Sequence, residues 1–201
     1  MAVRSPRSKI APEGPAYRVS MKSGSLTIAA ASGTLFSMLW TNTAKRCLVW
    51  RFNWHWSILT AFGAAQEIRH SLYIARGTTV ANSGGAAATL TTTNGLLDSL
   101  GSVTSVMGDM RMCTTAELTE GTTTRDAQSI ATRSMWVSNA LIIGNLSPYF
   151  DYRYGDTMSI NPITLRAGEQ LELVNDIVMG ATGVMRLVVE VEWSEVDIGV
   201  V

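Results

Sequence analysis

The run Leu48-Val49-Trp50-Arg51-Phe52-Asn53-Trp54-His55-Trp56-Ser57-Ile58 places an apolar side chain at every even-numbered position. In an extended chain successive side chains point to opposite faces, so Trp50, Phe52, Trp54 and Trp56 make one apolar wall. The odd positions hold Arg51, Asn53, His55 and Ser57, which are costly to bury unpaired and are expected to face water or another polar layer. A helix would scatter the four rings around its circumference. One dry and one wet face predict a strand, from about Cys47 to Leu59, in an antiparallel sheet.

The same alternation recurs outward from this strand. Met185, Leu187, Val189, Val191 and Trp193 alternate with Arg186, Val188, Glu190 and Glu192. Leu171 and Leu173 flank Glu172 after the turn Arg166-Ala167-Gly168-Glu169, and Ile68, His70, Leu72 and Ile74 alternate with Arg69, Ser71, Tyr73 and Ala75. Leu26 to Ala30 and Thr34 to Trp40 read as short strands around a Ser-Gly turn. With no amphipathic helical pattern longer than a turn or two, the expected fold is all-β, a single antiparallel β-sandwich of jelly-roll type. Its predicted core is Trp50, Phe52, Trp54, Trp56, Leu187, Val189, Val191 and Trp193. Residues 1–16, with three of the five prolines and no periodicity, read as an extended N-terminal arm, and residues 17–201 as the sandwich domain.

Between Ile74 and Met135 there is no Phe, Tyr or Trp, and Thr, Gly, Ala and Ser dominate. Such side chains bury little area, so this stretch is expected to form long connections on the rim of the core. Two ordered pieces are predicted inside it: a helical turn over Leu96 to Leu100, and a strand over Val106 to Cys113 with Met107, Asp109, Arg111 and Cys113 on one side.

With 201 residues, 46% of them apolar and 16% charged, the chain is able to build one full core. Its formal net charge of zero argues against a dedicated nucleic-acid binder. The uncharged run from Ser23 to Ala44 is too rich in Ser, Thr, Asn and Gly for a membrane helix, and the first twenty residues lack the apolar centre of a signal peptide. Charge is nonetheless uneven along the chain. Arg4, Arg7, Lys9, Arg18 and Lys22 face only Glu13 at the start, whereas Glu169, Glu172, Asp176, Glu190, Glu192, Glu195 and Asp197 crowd the end, a pattern that suggests docking between subunits or onto a charged neighbour. Cys47 and Cys113 read as small buried thiols of a protein made in a reducing cytoplasm.

Catalytic signatures are missing from the sequence. His55 lies on the wet face of the aromatic strand and His70 in an apolar register, where a hydrogen-bonded structural role is the expected one. No histidine or cysteine pair has metal-ligand spacing, no Gly-x-Ser-x-Gly elbow occurs, and Ser83-Gly84-Gly85 lacks the lysine of a phosphate cradle and reads as a flexible loop tip. No cofactor is expected. Without a secretory signal, Asn145-Leu146-Ser147 carries no meaning as a glycosylation acceptor. The best candidate contact loop is Tyr149, Asp151, Tyr152, Arg153 and Tyr154, where phenols interleave with charges.

From Gln66 onward the order of pieces resembles a group of tailed-bacteriophage virion proteins. The resemblance rests on Ser71-Leu72-Tyr73-Ile74-Ala75-Arg76, the small-residue run Ser83 to Asn94, the segment Asp109 to Thr119 with Asp126-Ala127-Gln128, then Arg166-Ala167-Gly168-Glu169 and Val189-Glu190-Val191-Glu192-Trp193. It implies a non-enzymatic structural protein of the virion, most simply a capsid decoration or cement protein on the capsid surface. The implied partners are the major capsid protein and further copies of the chain in a homotrimer, with neither nucleic acid nor membrane bound. Arg4, Arg7 and Lys9 would then be the capsid-contact residues of the arm. The alternatives are a head-fibre or tail protein, or a glycan-binding β-sandwich module using the Tyr149 to Tyr154 loop.

Overall fold

The aromatic run lies in the longest strand, β3 (Lys45–Thr60), and its partner is the last strand, β12 (Val184–Asp197). The structure, a computed structural model, describes residues 15–27, 29, 32–90, 104–137, 150–153, 162–180 and 182–199, with backbone alone at 150–153. The other strands are β1 (Ala16–Lys22), β2 (Gly33–Trp40), β4 (Gln66–Val80), β5 (Ala86–Ala87), β6 (Asp109–Met112), β7 (Thr122–Arg125), β8 (Ala131–Val137), β9 (Phe150–Arg153), β10 (Ile163–Leu165) and β11 (Glu169–Asn175). The described residues contain no helix, and so none long and apolar enough to cross a membrane.

All pairings are antiparallel and make two sheets. One has the order β1-β12-β3-β10, with β9 also on β3; the other has the order β5-β6-β2-β11-β4-β7, with β8 also on β4. The sheets share one core. Phe52, Trp54 and Trp56 of β3 and Leu187, Val189 and Val191 of β12 are buried with Phe36, Met38, Leu72, Leu171 and Leu173 of the second sheet. Across the gap Phe36 meets Phe52 edge to face, with centroids 5.6 Å apart, an arrangement favoured by the ring quadrupoles. The fold is therefore all-β, built of two antiparallel sheets in a sandwich-like arrangement.

Trp50 departs from the expected core. The ladder slips between Glu192 and Trp193, pairing Glu192 with Arg51 but Trp193 with Val49, so Trp50 is the extra residue of a bulge. The alternation changes parity there: Cys47 and Val49 point inward before the bulge, and Phe52, Trp54 and Trp56 after it. Trp50 is half-buried and donates its indole N–H to Ser194 Oγ at 2.7 Å. The wet face is not wholly wet either, because Asn53 is buried.

The aromatic-free stretch does more than connect. It contains the end of β4, all of β5, β6 and β7 and the first part of β8, and it supplies Met110, Met112, Cys113 and Leu118 to the core. Thioethers replace rings as filling, and a backbone ladder needs no large side chains. The predicted strand survives as β6, but its four residues do not share a side: Asp109 and Arg111 pair outside at 2.8 Å, while Cys113, just past the strand, is buried. Leu96 to Leu100 lie outside the described residues. Leu26 makes only an isolated bridge, to Met185, where a strand was expected, whereas Thr34 to Trp40 form most of β2. Ser83-Gly84-Gly85 is tied down by paired backbone bonds between Ser83 and Thr119, at 2.9 and 3.0 Å. Gly85 has φ +60°, and a Cβ there would lie 2.3 Å from the Met112 carbonyl, so the tip needs glycine for close approach. Cys47 and Cys113 are free, buried thiols, and burial raises both, Cys113 to about 12.

His70 points into the core as its register requires, edge-on to Trp56 at 4.8 Å. Neither ring nitrogen has a hydrogen-bond partner among the described residues, contrary to the expected hydrogen-bonded role, and burial pulls the imidazole down to about 3. The unfolded chain therefore binds one proton more than the folded one between pH ~6.5 and about 3, so this contribution is complete above ~6.5 and is lost as the pH falls. In urea unfolding from pH 7.5 down to 4.5, the wild type should lose up to about 1.4 kcal/mol per pH unit more than a His70→Leu variant. Parallel curves for the two proteins would refute the assignment.

Candidate contact surfaces

On the outer face of the first sheet, β1, β12 and β3 lie side by side and set Arg18, Glu190, Glu192, Arg51 and Asn53 in adjoining register. Arg18 reaches Glu190 at 3.2 Å and Glu192 at 3.5 Å, and Arg51 reaches Glu192 at 3.3 Å. The Asn53 amide donates to Glu190 at 3.0 Å. That hydrogen bond first, then the charges of Arg18 and Arg51, hold the Glu190 carboxyl below its usual range. Arg18 of the basic start thus pairs with Glu190 and Glu192 of the acidic end within one chain. Such partly exposed pairs contribute about 0–1 kcal/mol each; they align three strands more than they stabilise them.

The expected tyrosine loop is in part a strand. Phe150–Arg153 forms β9 on β3, with Arg153 in register with Arg51, Tyr152 with Phe52 and Asp151 with Asn53. Its signal was present: Phe150, Tyr152 and Tyr154 alternate with Asp151 and Arg153 as the opening strand does. Tyr149 and Tyr154 lie outside the described residues, as do Arg4, Arg7 and Lys9.

Two networks that sequence reasoning missed hold long segments to the sheets. The first centres on Glu172 of β11, whose carboxylate is fully buried on the outer side of the second sheet. It accepts from Arg125 Nε at 2.5 Å, from Asn82 Nδ2 at 3.1 Å and from Gln170 Nε2. Arg125 continues to Glu120 and to Thr34 Oγ1, and Asn82 Oδ1 accepts from the Gly121 N–H at 2.9 Å. The loops around Asn82 and over 117–121 are thereby fastened beside this carboxylate. Next to Leu171 and Leu173, Glu172 looks in sequence like an ordinary outward residue, and nothing local announces that its face is roofed.

The second network centres on Glu195 of β12, also buried. Its carboxylate accepts from Ser105 Oγ at 2.5 Å, from the Val106 N–H at 3.1 Å and from Trp193 Nε1 at 3.4 Å, pinning residues 105–106 to the first sheet. Burial, and then the Glu195 charge, push the nearby Tyr17 phenol up to about 12; Tyr17 stacks on Trp193 at 5.4 Å. No group of three or more His, Cys, Asp or Glu converges as a metal site among the described residues.

The chain matches no protein-family model and no curated protein.

Removing one partner of a buried ion pair leaves the other uncompensated. Arg125→Met should therefore destabilise the fold by about 3 kcal/mol, while the double variant Arg125→Met, Glu172→Gln should recover much of the loss. Denaturant unfolding of the four proteins of this cycle measures the coupling, and additive losses would refute it.

Proposed function

We propose that this chain is a structural protein of a tailed-phage virion, a jelly-roll capsid decoration protein that binds the major capsid protein as a homotrimer and strengthens the shell. The jelly-roll reading is supported by nested pairing: β1 with β12, β2 with β11, β3 with β10, and β4 with β7 and β8. This is the order of one long hairpin wound around a core.

One observation carries the functional reading. The charged side chains of the two networks and of the first sheet's outer face are engaged in tying strands and loops together. A body stiffened this way suits a protein whose work is mechanical. Binding is then assigned to the basic arm residues Arg4, Arg7 and Lys9, which precede β1 at the edge of its sheet. The resemblance of the segments between Ser71 and Trp193 to phage virion proteins points the same way.

Deleting residues 1–16 should release the protein from particles while its circular dichroism and unfolding midpoint stay those of the full chain. The full chain should also sediment at three times the 21.7 kDa chain mass. Unchanged particle occupancy would overturn the arm's role, and a monomer would overturn the trimer. Label found only on the tail in electron micrographs would move the protein away from the shell.

A further inference from the structure

Among the described residues, Trp136 of β8 is the one aromatic side chain left exposed, at 73% of its surface. A ring of this size on water has a reason more often than a single exposed leucine does. β8 pairs with β4 in the register Trp136 to Glu67, Arg69 to Ser134 and Ser71 to Thr132. Paired residues share a face, so these six side chains lie on one outer surface, opposite to the face that buries Ile68 and His70.

Arg69, beside Trp136, is held differently from the arginines that clasp a carboxylate. Arg18, Arg51, Arg76, Arg111 and Arg125 all donate hydrogen bonds to side-chain carboxylates. Arg69 stands 3.9 Å from both Glu67 and Asp176, beyond hydrogen-bond reach. Its Nε is buried and makes no hydrogen bond among the described residues, so the two carboxylates hold it by charge alone. A carboxylate directly opposite an exposed indole, and two positions further on a partly exposed guanidinium held by charge and not by a hydrogen bond through its Nε, form a polar edge beside the ring.

We propose that the β4–β8 face binds a glycan, with one pyranose ring stacked on Trp136 and its hydroxyls on Glu67 and Arg69. The C–H face of a sugar ring carries slight positive charge and complements the negative face of indole. A carboxylate and a guanidinium suit vicinal hydroxyls, which donate to the first and accept from the second. Glu67 lies about 5 Å across the ladder from Trp136, and Arg69 roughly 7 Å further along the strand, spans suited to one ring and its neighbour. A protein partner fits less well: a hot spot wants a surround of apolar contact, whereas the ring's neighbours in register on this face, Glu67, Arg69 and Ser134, are all polar. With two carboxylates around one arginine, the site favours neutral or N-acetylated sugars over uronic acids. The proposal makes no use of Tyr149 to Tyr154 and does not rest on the chain being a capsid protein.

An array of neutral, N-acetylated and uronic-acid oligosaccharides tests the proposal with the full chain. Saturable binding to the neutral or N-acetylated members is expected. It should weaken at least ~10-fold in Trp136→Ala and ~5-fold in Glu67→Gln, and stay within ~3-fold in Trp136→Tyr, which keeps a stacking ring. Because Trp136 is exposed, all variants should share the wild-type unfolding midpoint. A silent array, or equal binding by Trp136→Ala, would overturn the proposal. So would a Trp136→Ala variant that lowers only the mass in solution, which would assign the ring to contact between copies.

Discussion

The ladder between β3 and β12 is the constraint from which the rest of the structure follows. It runs from Val184 opposite Thr60 to Asp197 opposite Lys45, and it joins the chain's third strand to its last. Such a pairing closes the chain between Thr60 and Val184 as one long loop, at a cost that grows only logarithmically with length, and is held by apolar pairs: Trp56 with Leu187, Trp54 with Val189, Phe52 with Val191. A slip of one residue would turn these rings to solvent, so the register admits little choice. The other strands inherit their positions from it. β1 and β10 take the free edges of β12 and β3, and the second sheet packs Phe36, Met38 and Leu173 against the wall so formed.

The bulge at Trp50 shows how far a sequence pattern carries. Period-2 alternation is a local property, and it identified β3, β4, β11 and β12 because both members of each pair keep it over many residues. Bulges are set by the partner, here the slip at Glu192, and the even-numbered rule therefore failed at one tryptophan. The middle of the chain was misread for a different reason. Ring count was taken as a measure of burial, yet Met110, Met112 and Leu118 fill core space, and the Thr-rich β7 is held by its ladder to β4. The candidate contact loop carried a strand alternation that its tyrosines and charges disguised, and half of it pairs with β3.

The buried networks were illegible because covalent neighbours do not reveal what lies over a face. Glu172 and Glu195 each sit between residues typical of amphipathic strands, and each is buried by segments about 50 or more positions away: Arg125 and Asn82 for the first, Ser105 and Val106 for the second. A buried carboxylate with three or more donors is costly to leave half-satisfied, so a segment that supplies those donors is held in one place. This gives long, small-residue connections a fixed path without a large apolar area of their own. It also explains why the stretch between Ile74 and Met135 reads as loop while contributing strands.

The outer faces of the two sheets solve the same problem differently. The first sheet leaves its charges partly exposed and neutralises them across strands, Arg18 and Arg51 against Glu190 and Glu192. The second sheet hides Gln170 and Glu172 completely beneath the segments fastened by Arg125 and Asn82. That cover is centred on β11, and exposure rises away from it: Ser71 is buried, the Arg69 side chain is 43% exposed and Trp136, on β8 beyond β4, is 73% exposed. The exposed indole therefore stands where the cover ends, beside the Glu67, Arg69 and Asp176 charges that the margin leaves partly open. Desolvating that margin costs least for a ligand that brings both an apolar face and its own donors and acceptors, which is the chemistry of a sugar ring more than that of a hydrophobic protein patch.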